Sequence, residues 1–425
     1  MTGRGAGRIV TREAIDYGLH NPDNGVTLLQ VTSGTAQCTA IYSEISYGDV
    51  SGRYFIYRKG RSPISEGGAH GFWRFDLEAM ENTFVAEPED LIGCTVPLDQ
   101  TRFVYSRWED ERTVAVNFVD IATLKTETRL VKADRAWGLS TANAVTEDGR
   151  YVAAHAKPSQ RRHCLCVLDT ERGTSELIGE YTAEFCNPHL VLDPSGSGDV
   201  LMQINRGSTL NRDGSVAILM SPEGPRHDIF NIHSGAFRRT RAGYPYTTVL
   251  GGHSSWLGRT GKYVTNGLVM DLEELAQGGV ISAIGYYADM EKRESRADIV
   301  PNYYPAHLEM TRKVGSLFVL DRLEDVPRAY GQGYYCGHPN ASRDGKYFCA
   351  DVLGDHLLVI GSFRTGRTEV LIHGGASMGG SHNTQPVPWF MPGNRHIIFT
   401  SDDSGIAQVC AAGIPPELLK RLDEE

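Results

Sequence analysis

The chain lacks several features that would settle its class at once. Among its 425 residues there is no run of about 18 apolar residues, and the first 20 hold no apolar stretch of the kind a secretory leader needs. A membrane-spanning helix is not expected, and a cytoplasmic location is. CxxC pairs are missing too: the eight cysteines (Cys38, Cys94, Cys164, Cys166, Cys186, Cys336, Cys349, Cys410) are too sparse for a disulfide scaffold and read as small buried hydrophobes. Basic excess is also lacking. Lys and Arg number 42 against 52 Asp and Glu, a net charge of −10 with no cationic stripe, so nucleic acid is not an expected partner.

What the chain does have is glycine, 47 residues of it, in a composition that is 40% hydrophobic and 22% charged. That is a globular protein rich in turns. One phrase recurs: a turn with Gly or Asp-Gly, an aromatic or aliphatic strand, then a polar stop. It reads VSGRYFIYRK (50–59), LDQTRFVYSRW (98–108), TEDGRYVAAHA (146–156), PSGSGDVLMQIN (194–205), GRTGKYVTNG (258–267), SRDGKYFCAD (342–351) and PGNRHIIFTSD (392–402). Several copies are followed by a second alternating strand and turn, as in VNFVDIATLKTE and CVLDTERGTSE. Seven such units at a spacing of roughly 48 residues predict an all-β chain: a seven-bladed β-propeller, one domain over 1–425. The interval between the fifth and sixth phrases is stretched to 84 residues, which predicts a helical or loop insertion over about 268–330, between blades five and six.

In a propeller the innermost strands surround a central channel, so the same place in successive blades forms a ring. Counting back from the turn glycine, His189 lies seven residues before Gly196, His253 eight before Gly261, His338 seven before Gly345 and Gln385 eight before Gly393. His382 stands three residues before Gln385, blade one offers Glu44 with Tyr42 two residues earlier, and blade three offers Asn143. One histidine alone is more often structural than a ligand; several aimed at one axis by separate blades point to a metal. Imidazole with an amide oxygen suits an octahedral divalent ion, manganese first, with zinc, nickel, iron and calcium as alternatives. Arg206 and Arg212, in the loop INRGSTLNRDG, are candidates for an anionic group.

The segments GGHSSWLGRTGKY (251–263), GHPNASRDGKYFCAD (337–351) and SHNTQPVPWFMPGNRHIIFTSD (381–402), with NPHLVLDPSGSGDVLMQINRG (187–207), resemble the oligogalacturonate lyases, polysaccharide lyase family 22, and more loosely the TolB-like propellers. The resemblance covers about half the chain. It implies a manganese-dependent β-eliminating lyase on short uronic-acid oligosaccharides. His253 matches the family's base, His338 a metal histidine, and Arg212 the active-site arginine, with Arg206 nearly as good a match. The family's last metal segment runs Gln, two spacers, His, one spacer, His, whereas this chain has His382, Gln385 and Val387 there.

The implied site is therefore His338, His382 and Gln385 for metal, with His253, Arg212 and His189 for catalysis. Arg206, Glu44 and the aromatics Tyr42, Tyr244, Tyr246 and Trp389 are candidates to meet an acidic oligosaccharide. A binding propeller without metal, and a metal-dependent hydrolase or isomerase on the same channel, are the competing readings.

Overall fold

The computed structural model describes residues 10–11, 15–16, 24–60, 70–159, 162–181, 188–211, 216–218, 224–240, 243, 249–268, 311–323, 327–352, 357–373 and 385–424. Seven antiparallel sheets follow one another along the chain as the blades of a propeller. Their innermost strands are Cys38–Ala40, Leu91–Thr95, Ser140–Val145, Val191–Leu192, Val249–Trp256, Asn340–Ala341 and Trp389–Phe390.

The repeated phrase is the turn leaving each inner strand, together with the second strand. Chain reversal there needs a left-handed backbone, which glycine adopts without steric cost. Gly52, Gly149, Gly196, Gly261, Gly345 and Gly393 hold that place with φ between 70° and 86°. Blade two, which has no glycine in its phrase, puts Gln100 there at φ 53°. Side chains reinforce the turn: the Ser342 hydroxyl donates to Asp344 (2.6 Å) and accepts from the Tyr347 amide (3.0 Å).

The second and third strands alternate so that aliphatic side chains of neighbouring blades interlock. Between blades two and three, Val104, Val116, Val152, Cys164 and Cys166 form one such layer. All seven described cysteines are buried as small core residues, with no disulfide among them. Between blades one and seven the layer is aromatic, with Phe55 and Tyr47 each 6.0 Å from the Trp389 ring.

The circle closes in a way the repeat does not announce. Blade seven has three strands from the C-terminal end, and Thr27–Gln30 from the other end of the chain supplies the fourth, pairing Leu28 with Ala412. The C-terminal helix Pro416–Asp423 then buries Leu418 and Leu422, and its Asp423 accepts from the Tyr347 and Ser362 hydroxyls (2.5 and 2.9 Å).

The long interval after the fifth phrase is placed inside blade five rather than after it. That blade's second strand ends at Leu268 and its third begins at Leu317, and Arg328–Tyr330 is its outer strand. Residues 269–310 lie outside the described residues. Among the described residues no helix is long and apolar enough to cross a membrane.

Candidate metal centre in the channel

The ring positions share a structural cause. In blade after blade the inner strand loses register with its neighbour at this point, and the extra residues bulge toward the axis. In blade five Leu250 pairs Gly267 and Ser254 pairs Thr265, so 251–253 stand opposite Asn266 alone. In blade six Cys336 bridges Val352 and Asn340 pairs Cys349, leaving 337–339 unpaired. Blade three repeats this over 141–143, and blade one enlarges it, with Ala40 on Tyr57 and Gly48 on Phe55. A bulge bends its strand and re-aims side chains, which is how a sheet edge delivers functional groups to a channel.

The bulges need unusual backbone. His189 has φ 38°, Val387 40°, Thr141 48° and Gly252 97°. Gly251 and Gly252 are required for a second reason: a Cβ on Gly252 would lie 2.1 Å from Gln203 Oε1, and one on Gly251 2.4 Å from Asn266. The Gly-Gly pair lets His253 reach the axis past two polar side chains.

Three histidines meet there, each with its own partner. His253 Nδ1 is 3.2 Å from the Tyr42 hydroxyl, and its backbone amide donates to Asn266 (3.2 Å). His189 Nδ1 is 2.5 Å from Glu44 Oε1. Burial opposes charge on His189, but the Glu44 carboxylate outweighs it and raises the imidazole's pKa above its usual value. His338 is buried, with Nδ1 2.9 Å from Asp351 Oδ2, and its backbone amide also donates to Asp351. Burial pushes the Asp351 carboxyl up, but the His338 ring and amide together hold it below the ordinary range. The Tyr42 ring lies 5.5–5.7 Å from all three imidazoles, and those of His253 and His338 are 4.4 Å apart.

Two sets of donors face a cation. Ligand atoms of Glu44, His189 and His253 lie within 4.8 Å of one another. Glu44 and His189 are already hydrogen-bonded to each other, however, and the carboxylate favours the protonated imidazole, which is no ligand. His338 is the better fit: with Nδ1 facing Asp351, its Nε2 is buried without a hydrogen-bond partner. Carboxylate behind one ring nitrogen and an open lone pair on the other is the arrangement that orients a metal-binding histidine. Gln385 Oε1 is a second buried acceptor without a partner.

Of the expected residues, Tyr42, Glu44, His189, His253 and His338 are brought together. Arg206 keeps a local bond, Nε to the Gly224 carbonyl (2.9 Å). Trp389 is fully buried in the core between blades one and seven and has no face to offer a sugar. Val387, where the lyase pattern has a histidine, is 4% exposed in that same core. His382, Arg212, Tyr244 and Tyr246 lie outside the described residues. Asp351 was missed, although its signal was present as the polar stop of SRDGKYFCAD, thirteen residues after His338 just as Asn266 follows His253. His227 was also passed over. Burial and the nearby His189 lower its pKa to about 3.

No protein-family model and no curated protein matches the sequence. Solved structures do match by shape. An oligogalacturonate lyase in complex with manganese superposes with a TM-score of 0.67 over 97% of this chain and 98% of its own, at 15% identity. The oligogalacturonate lyase of Vibrio parahaemolyticus gives 0.65 over 96% and 99%, also at 15%. TolB of Acinetobacter baumannii, at 13% identity, covers 86% of this chain and 64% of its own with a TM-score of 0.40. This chain has the fold of the oligogalacturonate lyases, a seven-bladed β-propeller.

Proposed function

We propose that this protein is a metal-assisted lyase that cleaves uronic-acid-containing oligosaccharides by β-elimination, giving a 4,5-unsaturated uronate. The observation that carries the reading is the pairing of two unlike histidines with rings 4.4 Å apart. One is held by a carboxylate with its outer nitrogen open, and the other is held by a phenol. The likeness to a lyase found with manganese supports it.

His338 Nε2 and Gln385 Oε1 would hold the cation, manganese by preference, with His382 as the third ligand. Such an ion supplies Lewis acidity to the substrate carboxylate, where elimination builds enolate-like charge. The chain's own groups do the rest. In the tautomer whose Nδ1–H donates to the Tyr42 oxygen, His253 has Nε2 as the basic nitrogen, suited to take the proton from C5. The electron pair of that C–H bond forms the C4–C5 double bond as the 4-linked oxygen leaves. His189, whose protonated form Glu44 favours, would be the acid that protonates the departing oxygen. Arg212 or Arg206 would bind the uronate carboxylate.

Purified protein incubated with a panel of uronate oligosaccharides should develop the ultraviolet absorbance of an unsaturated uronate, dependent on added manganese. New reducing ends without that absorbance would mean hydrolysis and would refute the elimination.

A further inference from the structure

The channel has a second chamber, on the far side of the ring. A cavity of about 410 Å³ lies along the inner strands. Its rim is formed by the turns 97–100, 146–148 and 193–198 and by Arg343, which are the opposite ends of the inner strands from the histidine bulges. We propose that this chamber is a separate binding site for an uncharged, largely apolar small molecule that carries a hydroxyl group.

Three features carry the assignment. Size comes first: the volume falls within the range of ligand pockets, about 300–1,000 Å³. Val96, Leu98, Val145, Leu192 and Trp256 give its walls more apolar than polar surface, with Thr95, Asn143 and Ser255 between them. Second, most charge at the rim is already answered. Arg259 donates to Glu147, Arg322 lies 3.2 Å from Asp193, and the Thr146 hydroxyl donates to Asp148 (2.6 Å). Third, the inner end offers an acceptor. Glu44 lines the chamber, and its carboxylate, held by His189 at Oε1, keeps the lone pairs of Oε2 for a donor. A guest with an apolar body and one hydroxyl directed inward matches all three.

The site is distinct from the metal ring, although Glu44 forms part of both. Calorimetric titration of the full chain with phenol, toluene and benzoate, which share one ring size, tests the assignment. Phenol should saturate one site and bind roughly tenfold more tightly than toluene, about the worth of one hydrogen bond, and more tightly still than benzoate. Leu98→Trp and Leu192→Trp, two independent ways to fill the chamber at half-buried positions, should each weaken phenol by at least about tenfold while manganese content stays unchanged. Benzoate binding as well as phenol would identify Arg343 as an anion site and overturn the assignment. So would non-saturating phenol, or phenol binding that both folded tryptophan variants leave intact. Neither result touches the lyase reading, which is scored by metal content and uronate cleavage.

Discussion

Blades five and six build the same bulge and finish it differently. In each, the amide of the ring histidine donates to a polar residue thirteen positions later, Asn266 for His253 and Asp351 for His338. The amide side chain of Asn266 stops there. The carboxylate of Asp351 goes on to bind the imidazole Nδ1, while His253 turns its Nδ1 to Tyr42 instead. In the proposed reaction, one polar atom type in the second strand thus separates the histidine assigned to exchange a proton from the one assigned to hold a cation. A carboxylate behind an imidazole makes it a better ligand, and His253 has none.

The largest effect should come from deleting the proton-exchanging side of this pair. His253→Ala is expected to lower uronate cleavage by about 10²–10⁴-fold with manganese content retained, measured by initial rates and elemental analysis. A variant of comparable activity would remove His253 from the chemistry. Next is Gly252→Ala, which places a methyl group against Gln203 and forces an L-residue to φ 97°. A displacement of His253 by about 1 Å should cost on the order of 10²-fold in kcat, with thermal stability falling only modestly. Asp351→Asn makes blade six resemble blade five. Manganese affinity should drop by about 10–100-fold, and excess metal should recover most of the turnover. Loss of activity that metal does not rescue would show that Asp351 acts on the reaction and not through His338.

A separate effect lies outside the pair, in three other buried histidines. His155 and His163 share a 3.0 Å hydrogen bond, and burial lowers their pKa values to about 3 and about 4; His227 is lowered to about 3. In the unfolded chain each would titrate near 6.5. Because the folded values are depressed, their neutral forms contribute stability in full above pH 6.5, and it is lost as pH falls toward 4. The slope is about 1.4 kcal/mol per pH unit for each histidine that stays neutral. Denaturant unfolding at pH 7 and at pH 5 reads this directly. Replacing His227 with Phe should flatten the difference by about one histidine's share.

The parts of this fold legible in the sequence are those fixed by local backbone chemistry. A left-handed turn demands glycine in six blades, so the phrase could be counted, and the ring followed by counting back from it. Tyr42 was counted at the ring, but its contact with His253 was not legible, because blade one's bulge spans far more residues than the three of blade five. Asp351 acts across a strand pair, and its thirteen-residue offset from His338 gains meaning only once the bulge between them is known. Trp389 drew attention as an aromatic near the ring, yet it faces the layer between blades, where its burial serves packing. The closing strand Thr27–Gln30 carries no copy of the phrase, because the fourth strand of a blade lies outside the repeated turn. In blade five the third strand, Leu317–Asp321, falls so far after the second that the interval read as a gap between blades.

Metal content after removal of each histidine in turn tests the central contrast most directly. Wild type, His253→Ala and His338→Ala, purified without an affinity tag, reconstituted with manganese and desalted, should be compared by elemental analysis. The account predicts that wild type and His253→Ala retain manganese and His338→Ala does not. Equal retention by both variants, or loss from His253→Ala alone, would contradict it.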